Sequence, residues 1–353
     1  MRLLLLITFL FVNSVSFAKP RATNYEIDVI QANLNDESRD VRATCIEAIG
    51  LTGYPDAIPV LKKMLSDKSD FIRVEAAVAL YKLNDRSGIS ELRRIVSTAP
   101  QLSDKPKPLE RMKAVAQGTI RIKAARALAD IGDRGSIPLL KRAADDYDGR
   151  VTDACLIALA KLGDVASMKN FASAVESKKP EIRAQAAEAL GEMNDKNAVP
   201  ALRKMLGDWS REVKGNAAIA LGKMKDVDSF KEIQALLADQ DPIVRENGAT
   251  ALGILGNPDA IKPLKVLLSD GNGMVRIAAA RSLHEYGDDS GKEYLFTVIK
   301  GEDRDAKLKA LDALEVVAGQ SDTSKIEELL DNQDKLVAVR AAKAIIEAKN
   351  KNK

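Results

Sequence analysis

The 353-residue chain has very little of what enzymatic chemistry usually draws on. It holds one histidine, His284, and a lone imidazole cannot build the multi-ligand sites that zinc or non-haem iron require. No Ser-His-Asp set, phosphate-cradling glycine loop or paired catalytic carboxylates stands out, so the sequence assigns no catalytic, cofactor or metal residue. Asp146-Tyr147-Asp148-Gly149 offers only two alternating carboxylates and no Glu at the twelfth position, and both Asp residues have roles in the repeat described below, so a calcium loop is discounted. Aromatics make up 4% of the chain, while apolar residues reach 46%, mostly Ala, Leu, Ile and Val. That composition suits many thin helix-on-helix layers better than one thick core. Net charge is also nearly absent: a formal +3 among 30% charged residues gives no bulk field to attract nucleic acid or a membrane surface.

Only one long apolar run exists, Leu3 to Val12 after Arg2, followed by a polar stretch ending Ser16-Phe17-Ala18. Basic start, short apolar run and small residues at −3 and −1 read as a secretory signal peptide cleaved after Ala18. The run is too short to span a bilayer, so stable membrane insertion is not expected. The mature chain, 19–353, is expected to be periplasmic or secreted and monomeric.

What the chain does have is repetition. With the Arg of "IR" or "VR" as marker, equivalent positions are Arg42, Arg73, Arg121, Thr152, Arg183, Lys214, Arg245, Arg276, Lys307 and Ala338, spaced by 31 residues except for one interval of 48. A constant period of this length is the mark of a solenoid, whose units bury their apolar faces against neighbours. Apolar residues at −1 and +7, with small ones at +3 and +6, make the first helix of each unit, A. A cap recurs four residues before the marker, as Ser38, Ser69, Asp148, Ser210, Asp241, Asn272, Asp303 and Asp334. Gly or Asn in one column, from Gly53 and Asn84 to Gly287, ends it. A second helix, B, buries two columns, Leu61 to Ile326 and Leu65 to Leu330.

This pattern resembles the HEAT-like repeats of the phycobilin-lyase type over nearly the whole mature chain. The resemblance implies an all-α, right-handed α-solenoid (superhelix) of about ten 31-residue helix-turn-helix repeats, with an Asp six residues before the marker forming a ladder between units. Asp36, Asp67, Asp239 and Asp270 match that column, as does Asp208 with Lys214. With an initial B-like helix around Ile27 to Leu34 and a lone final A helix around Val337 to Ala348, 20 helices are expected. Ten layers of about 9 Å predict a curved rod roughly 90 Å long, ending in a frayed tail at 349–353.

Function must sit where the repeats differ. The 48-residue interval carries 17 extra residues within 97–118, with Pro100, Pro106 and Pro108 among basic residues. They read either as a contact loop or as a tolerated insertion that lengthens the third A helix after Pro108. On helix B, two successive positions read Lys62-Lys63, Arg93-Arg94, Lys141-Arg142 and Arg203-Lys204, turning acidic toward Glu327-Glu328. In a solenoid of the resembled type the B helices line the concave face, so these residues form a candidate basic groove for a protein or an acidic extended polymer. The plainer reading is that they are good helix formers on a solvated face. Tyr147 and Trp209 share one column at the B-to-A turn, as binding anchors or as staples for their own turns. Cys45 and Cys155 fill the small +3 column three layers apart, too far for a disulfide, and are expected as buried thiols.

The sequence reading is thus a non-enzymatic exported scaffold. Its alternative is a phycobilin-lyase-like or deoxyhypusine-hydroxylase-like (oxidoreductase) protein, against which the single histidine and the signal peptide argue.

Overall fold

The computed structural model describes residues 25–52, 57–100, 107–146, 148–164, 171 and 173–351. The proposed signal peptide, Tyr147 and Gly53 therefore lie outside the described residues. Within them the chain is all helical, with nineteen α-helices. The A-type helices are α2 (Arg39–Thr52), α4 (Asp70–Lys82), α6 (Pro108–Asp130), α8 (Gly149–Lys161), α9 (Pro180–Met193), α11 (Arg211–Lys223), α13 (Pro242–Leu255), α15 (Gly273–His284), α17 (Arg304–Val317) and α19 (Lys335–Asn350). The B-type helices are α1 (Tyr25–Asn33), α3 (Ala57–Met64), α5 (Ile89–Ser97), α7 (Ile137–Ala143), α10 (Val199–Met205), α12 (Phe230–Ala235), α14 (Ile261–Leu267), α16 (Lys292–Lys300) and α18 (Ser324–Glu327).

Local chemistry explains the boundaries. Asp148, Asp241, Asn272, Asp303 and Asp334 accept from first-turn amides as caps should, while Ser69 and Ser210 make no side-chain cap. In those two units the carboxylates of Asp67 and Asp208 take the serine amide itself, at 2.8 and 2.9 Å. The A helices end in the left-handed conformation at Asn84, Gly132, Gly163, Asn194, Gly256 and Gly287, and also at Lys225, which the sequence did not flag.

Successive A helices touch backbone to side chain. At Gly191 an added Cβ would lie 2.6 Å from the Cβ and 2.7 Å from the Cα of Ala220, so only glycine admits this approach. B helices are farther apart, which curves the stack with A inside. Arg126 of α6 reaches Glu188 of α9 at 2.7 Å across the intervening α8, whose Ile157 is 4% exposed beneath the bridge. Such a span is possible only on the inner wall.

The curvature is enough to close the chain. Helix α19 packs on both α1 and α2, and the residues of both chain ends share one apolar cluster. Lys335 Nζ lies 2.5 Å from Asp36, Lys343 Nζ 2.8 Å from Glu47, and Lys349 Nζ 2.7 Å from Glu26. Asn350 Nδ2 donates to the Leu51 carbonyl at 2.7 Å, and the Tyr25 hydroxyl to Asp331 at 2.7 Å. The rod expected from the sequence is therefore a ring. The initial B-like helix and the final A helix are not spare ends: α1 and α19 are the two halves of a tenth unit, each burying the other's apolar face.

Candidate binding surfaces

Two electrostatic ladders run around the ring, and they decide which charged residues are available. In the first, the marker side chain reaches the −6 carboxylate of the next unit. Arg42 pairs with Asp67 at 3.2 Å, Arg183 with Asp208 at 2.7 Å, Lys214 with Asp239 at 2.5 Å and Arg245 with Asp270 at 2.8 Å. Arg121 and Asp146 make the same rung, with both side chains only 4% exposed. Arg42, Arg183 and Arg245 also donate to the carbonyl six residues back, at 2.7, 2.8 and 2.8 Å, while Arg121 donates to the Val96 carbonyl at 3.0 Å. Where the insertion puts Val115 in the Asp column, Arg73 turns to Glu91 at 2.6 Å.

The second ladder was not legible as such. The first basic position of helix B binds the Asp that follows the left-handed residue of the next unit. Lys62 meets Asp85 at 2.8 Å, Arg93 meets Asp133 at 2.7 Å, Lys141 meets Asp164 at 2.8 Å, Arg203 meets Asp226 at 2.8 Å and Lys265 meets Asp288 at 2.6 Å. Hydrogen bonds from Lys62 and Ser87 bring the Asp85 carboxyl down to about 2, and Lys265 with Ser290 does the same for Asp288. The signal was present as a Gly/Asn-Asp dipeptide 22 and 23 residues after the Lys in Lys62-Asn84-Asp85, but it joins residues of different units.

These contacts correct the basic-groove expectation in two respects. The B helices lie on the outer wall of the ring, since the A helices form the inner one. Lys62, Arg93, Lys141 and Arg203 are rungs rather than unengaged cations. Arg94 is held by Asp70 at 2.9 Å and Glu91 at 2.8 Å, and Lys204 meets Glu176 at 3.1 Å. Among the described residues, Lys63 and Arg142 carry no ion pair and are exposed.

The inner wall is lined by paired charges. Lys343 sits between Glu47 and Glu315, at 2.8 and 3.1 Å. Burial opposes its charge, but the carboxylates of Glu315 and Glu47 overcome this and raise its pKa, while burial raises that of Glu315. A cleft there is bounded by Glu47, Glu75, Val78, Lys82, Lys343 and Glu347.

Trp209 is the clearest candidate contact. It is the chain's sole tryptophan and is 77% exposed. It stands at the mouth of a cleft of about 450 Å³ with Val175, Ala201 and Met205 among its lining and Glu176, Arg183 and Lys204 at its edges. The Arg183 guanidinium lies 5.9 Å from the indole centroid. That contact reaches back to a ladder residue and leaves the ring open to solvent, so the turn-staple reading does not account for it.

His284 is 30% exposed and bonds Asp289 at 2.8 Å. Among the described residues, no group of three or more His, Cys, Asp or Glu could hold a metal ion. Cys45 and Cys155 are buried and unbridged, and burial pushes both thiols up to about 12. No described helix is long and apolar enough to cross a membrane.

An all-α stack of helical pairs with an inter-unit Arg–Asp ladder defines an α-solenoid repeat protein. The family model for HEAT repeats matches residues 27–102, 106–175, 168–233, 201–273, 231–315 and 262–346, and the chain belongs to that family. No curated protein matches it. Among solved structures, human deoxyhypusine hydroxylase in complex with glycerol is similar at 22% identity, over 75% of this chain and 96% of that one, with a TM-score of 0.36. The complex of CpcE and CpcF of phycocyanin lyase from Nostoc sp. PCC7120 is similar at 18% identity, over 72% and 92%, with a TM-score of 0.43. An engineered protein is similar at 19% identity, over 93% and 99%, with a TM-score of 0.34. Likeness at this level concerns the fold alone.

Proposed function

We propose that this chain is an exported, non-catalytic scaffold that holds a protein or an extended acidic ligand, with the Trp209 cleft as its first contact. The carrying observation is the 77% exposure of Trp209 beside an apolar-floored cleft in a chain with 4% aromatics. Buried aromatic anchors dominate binding energy, and an exposed one over a hollow is a ready anchor. Lys63 and Arg142, farther along the outer wall, supply the cationic part of the surface, while Lys204 at the cleft edge is paired with Glu176; Tyr147 belongs to the same column of the repeat.

The test is crosslinking in the native compartment followed by mass spectrometry, with wild type beside Trp209→Ala. A partner recovered by the wild type and reduced at least tenfold by the variant supports the reading. Equal recovery by both refutes the cleft. Export is tested separately by N-terminal sequencing of the mature protein, expected to begin at Lys19. Because Trp209 is the sole tryptophan, its emission also reports occupancy directly.

A further inference from the structure

The seventeen extra residues of the third unit build an outward-facing amphipathic surface. Helix α6 begins at Pro108, thirteen residues before its marker Arg121, whereas every other A helix begins three before. At 1.5 Å per residue the extra ten residues carry it about 15 Å past the neighbouring first turns. Ala114 and Gly118 are buried, and a Cβ on Gly118 would meet the Asp148 carboxylate at 2.4 Å, so that side faces the ring. On the opposite side Leu109, Met112 and Val115 are 61%, 68% and 49% exposed. At 100° per residue they span one arc, with Arg111 on one flank and Lys113 on the other. Both cations are exposed, and neither has an ion pair among the described residues.

A helix in water normally turns its apolar arc inward, and this one turns it outward between two cations. A second observation points the same way. Of the eight large apolar residues exposed in the described chain, Leu109, Met112 and Val115 lie on the extended start of α6, and Ile182 and Ile243 lie in the first turns of α9 and α13, on the same edge of the ring.

We propose that this edge docks on an anionic lipid surface, with Leu109, Met112 and Val115 entering the headgroup boundary and Arg111 and Lys113 contacting lipid phosphates. The complementarity is local: a net-basic helix face on a nearly neutral chain, flanked as an interfacial helix requires. This is peripheral attachment and does not depend on the Trp209 cleft.

The test is co-sedimentation of the full mature chain with vesicles of phosphatidylglycerol and phosphatidylcholine, and with phosphatidylcholine alone. Wild type should pellet with the anionic vesicles, at least tenfold less with the neutral ones, and less as salt rises. Leu109→Ser/Met112→Ser/Val115→Ser should lose at least tenfold in binding with an unchanged melting curve, since these side chains support no core. Met112→Cys carrying an environment-sensitive dye should shift to the blue on vesicle addition. Absence of wild-type pelleting, equal pelleting of the triple variant, or a concentration-dependent self-association removed by that variant would each overturn the proposal, the last by making a second copy the occupant.

Discussion

Ring closure can be tested by disrupting the tenth unit, whose α19 packs on α1 and α2 on one side and on α17 on the other. Ile345 of α19 is fully buried within the apolar cluster that both chain ends share. Ile345→Asp removes a fully buried side chain, worth about 2–5 kcal/mol, and adds the cost of desolvating a carboxylate. In a solenoid, stability is a sum of unit and nearest-neighbour terms, so the loss should fall on α19 and its interfaces with α1, α2 and α17 and leave the remaining units folded. Ten A helices about 9 Å apart close a circle of radius about 14 Å, with the B helices about 10 Å farther out, which gives a radius of gyration of about 21 Å. An extended stack of the same ten layers, about 90 Å long, gives about 27 Å. Small-angle scattering should therefore report about 21 Å and a maximum dimension near 60 Å for the wild type, rising by at least about 3 Å in the variant while helicity holds. A wild-type value near 27 Å would refute closure, and loss of all helicity in the variant would refute the nearest-neighbour argument.

Further outcomes follow from the ladders and thiols. Arg121→Ala strands the Asp146 carboxylate in a site withdrawn from solvent and should cost about 3–5 kcal/mol in denaturant unfolding. Asp85 and Asp288 titrate at about 2 when folded, below the ordinary 3.8, so each contributes stability that is fully present above pH 4 and lost as pH falls toward 2. In Lys62→Met the NMR midpoint of Asp85 should move up toward 3.8 while Asp288 stays, and an unmoved Asp85 would remove Lys62 from the ladder. Cys45 and Cys155 should resist a thiol reagent in the native protein and react at the rate of unfolding, without a shifted band on non-reducing gels.

Much of the site was only half legible. Trp209 was visible as one of two aromatics, with Tyr147, in its column, but its exposure depends on the cleft between Val175 and Met205, which belong to adjacent units. The basic pairs on helix B were visible too, and looked like unspent charge because their partners lie 23 residues on, or 40 where the insertion intervenes between Arg93 and Asp133. The outward apolar arc of α6 was hidden for a different reason. Periodicity shows that Leu109, Met112 and Val115 share a face, and only the burial of Ala114 and Gly118 shows which way that face points.

By itself the sequence determined the unit: 31-residue spacing, two helices, the caps, the left-handed stops and the buried columns all follow from short-range chemistry repeated ten times. Tertiary structure decided what the units add up to. Whether ten layers make a rod or a ring depends on a turn of about 36° per unit, the sum of small differences between close A-helix contacts such as Gly191 on Ala220 and looser B-helix contacts. No single unit carries that angle, and only once it accumulates does Lys343 meet Glu47, 296 residues away.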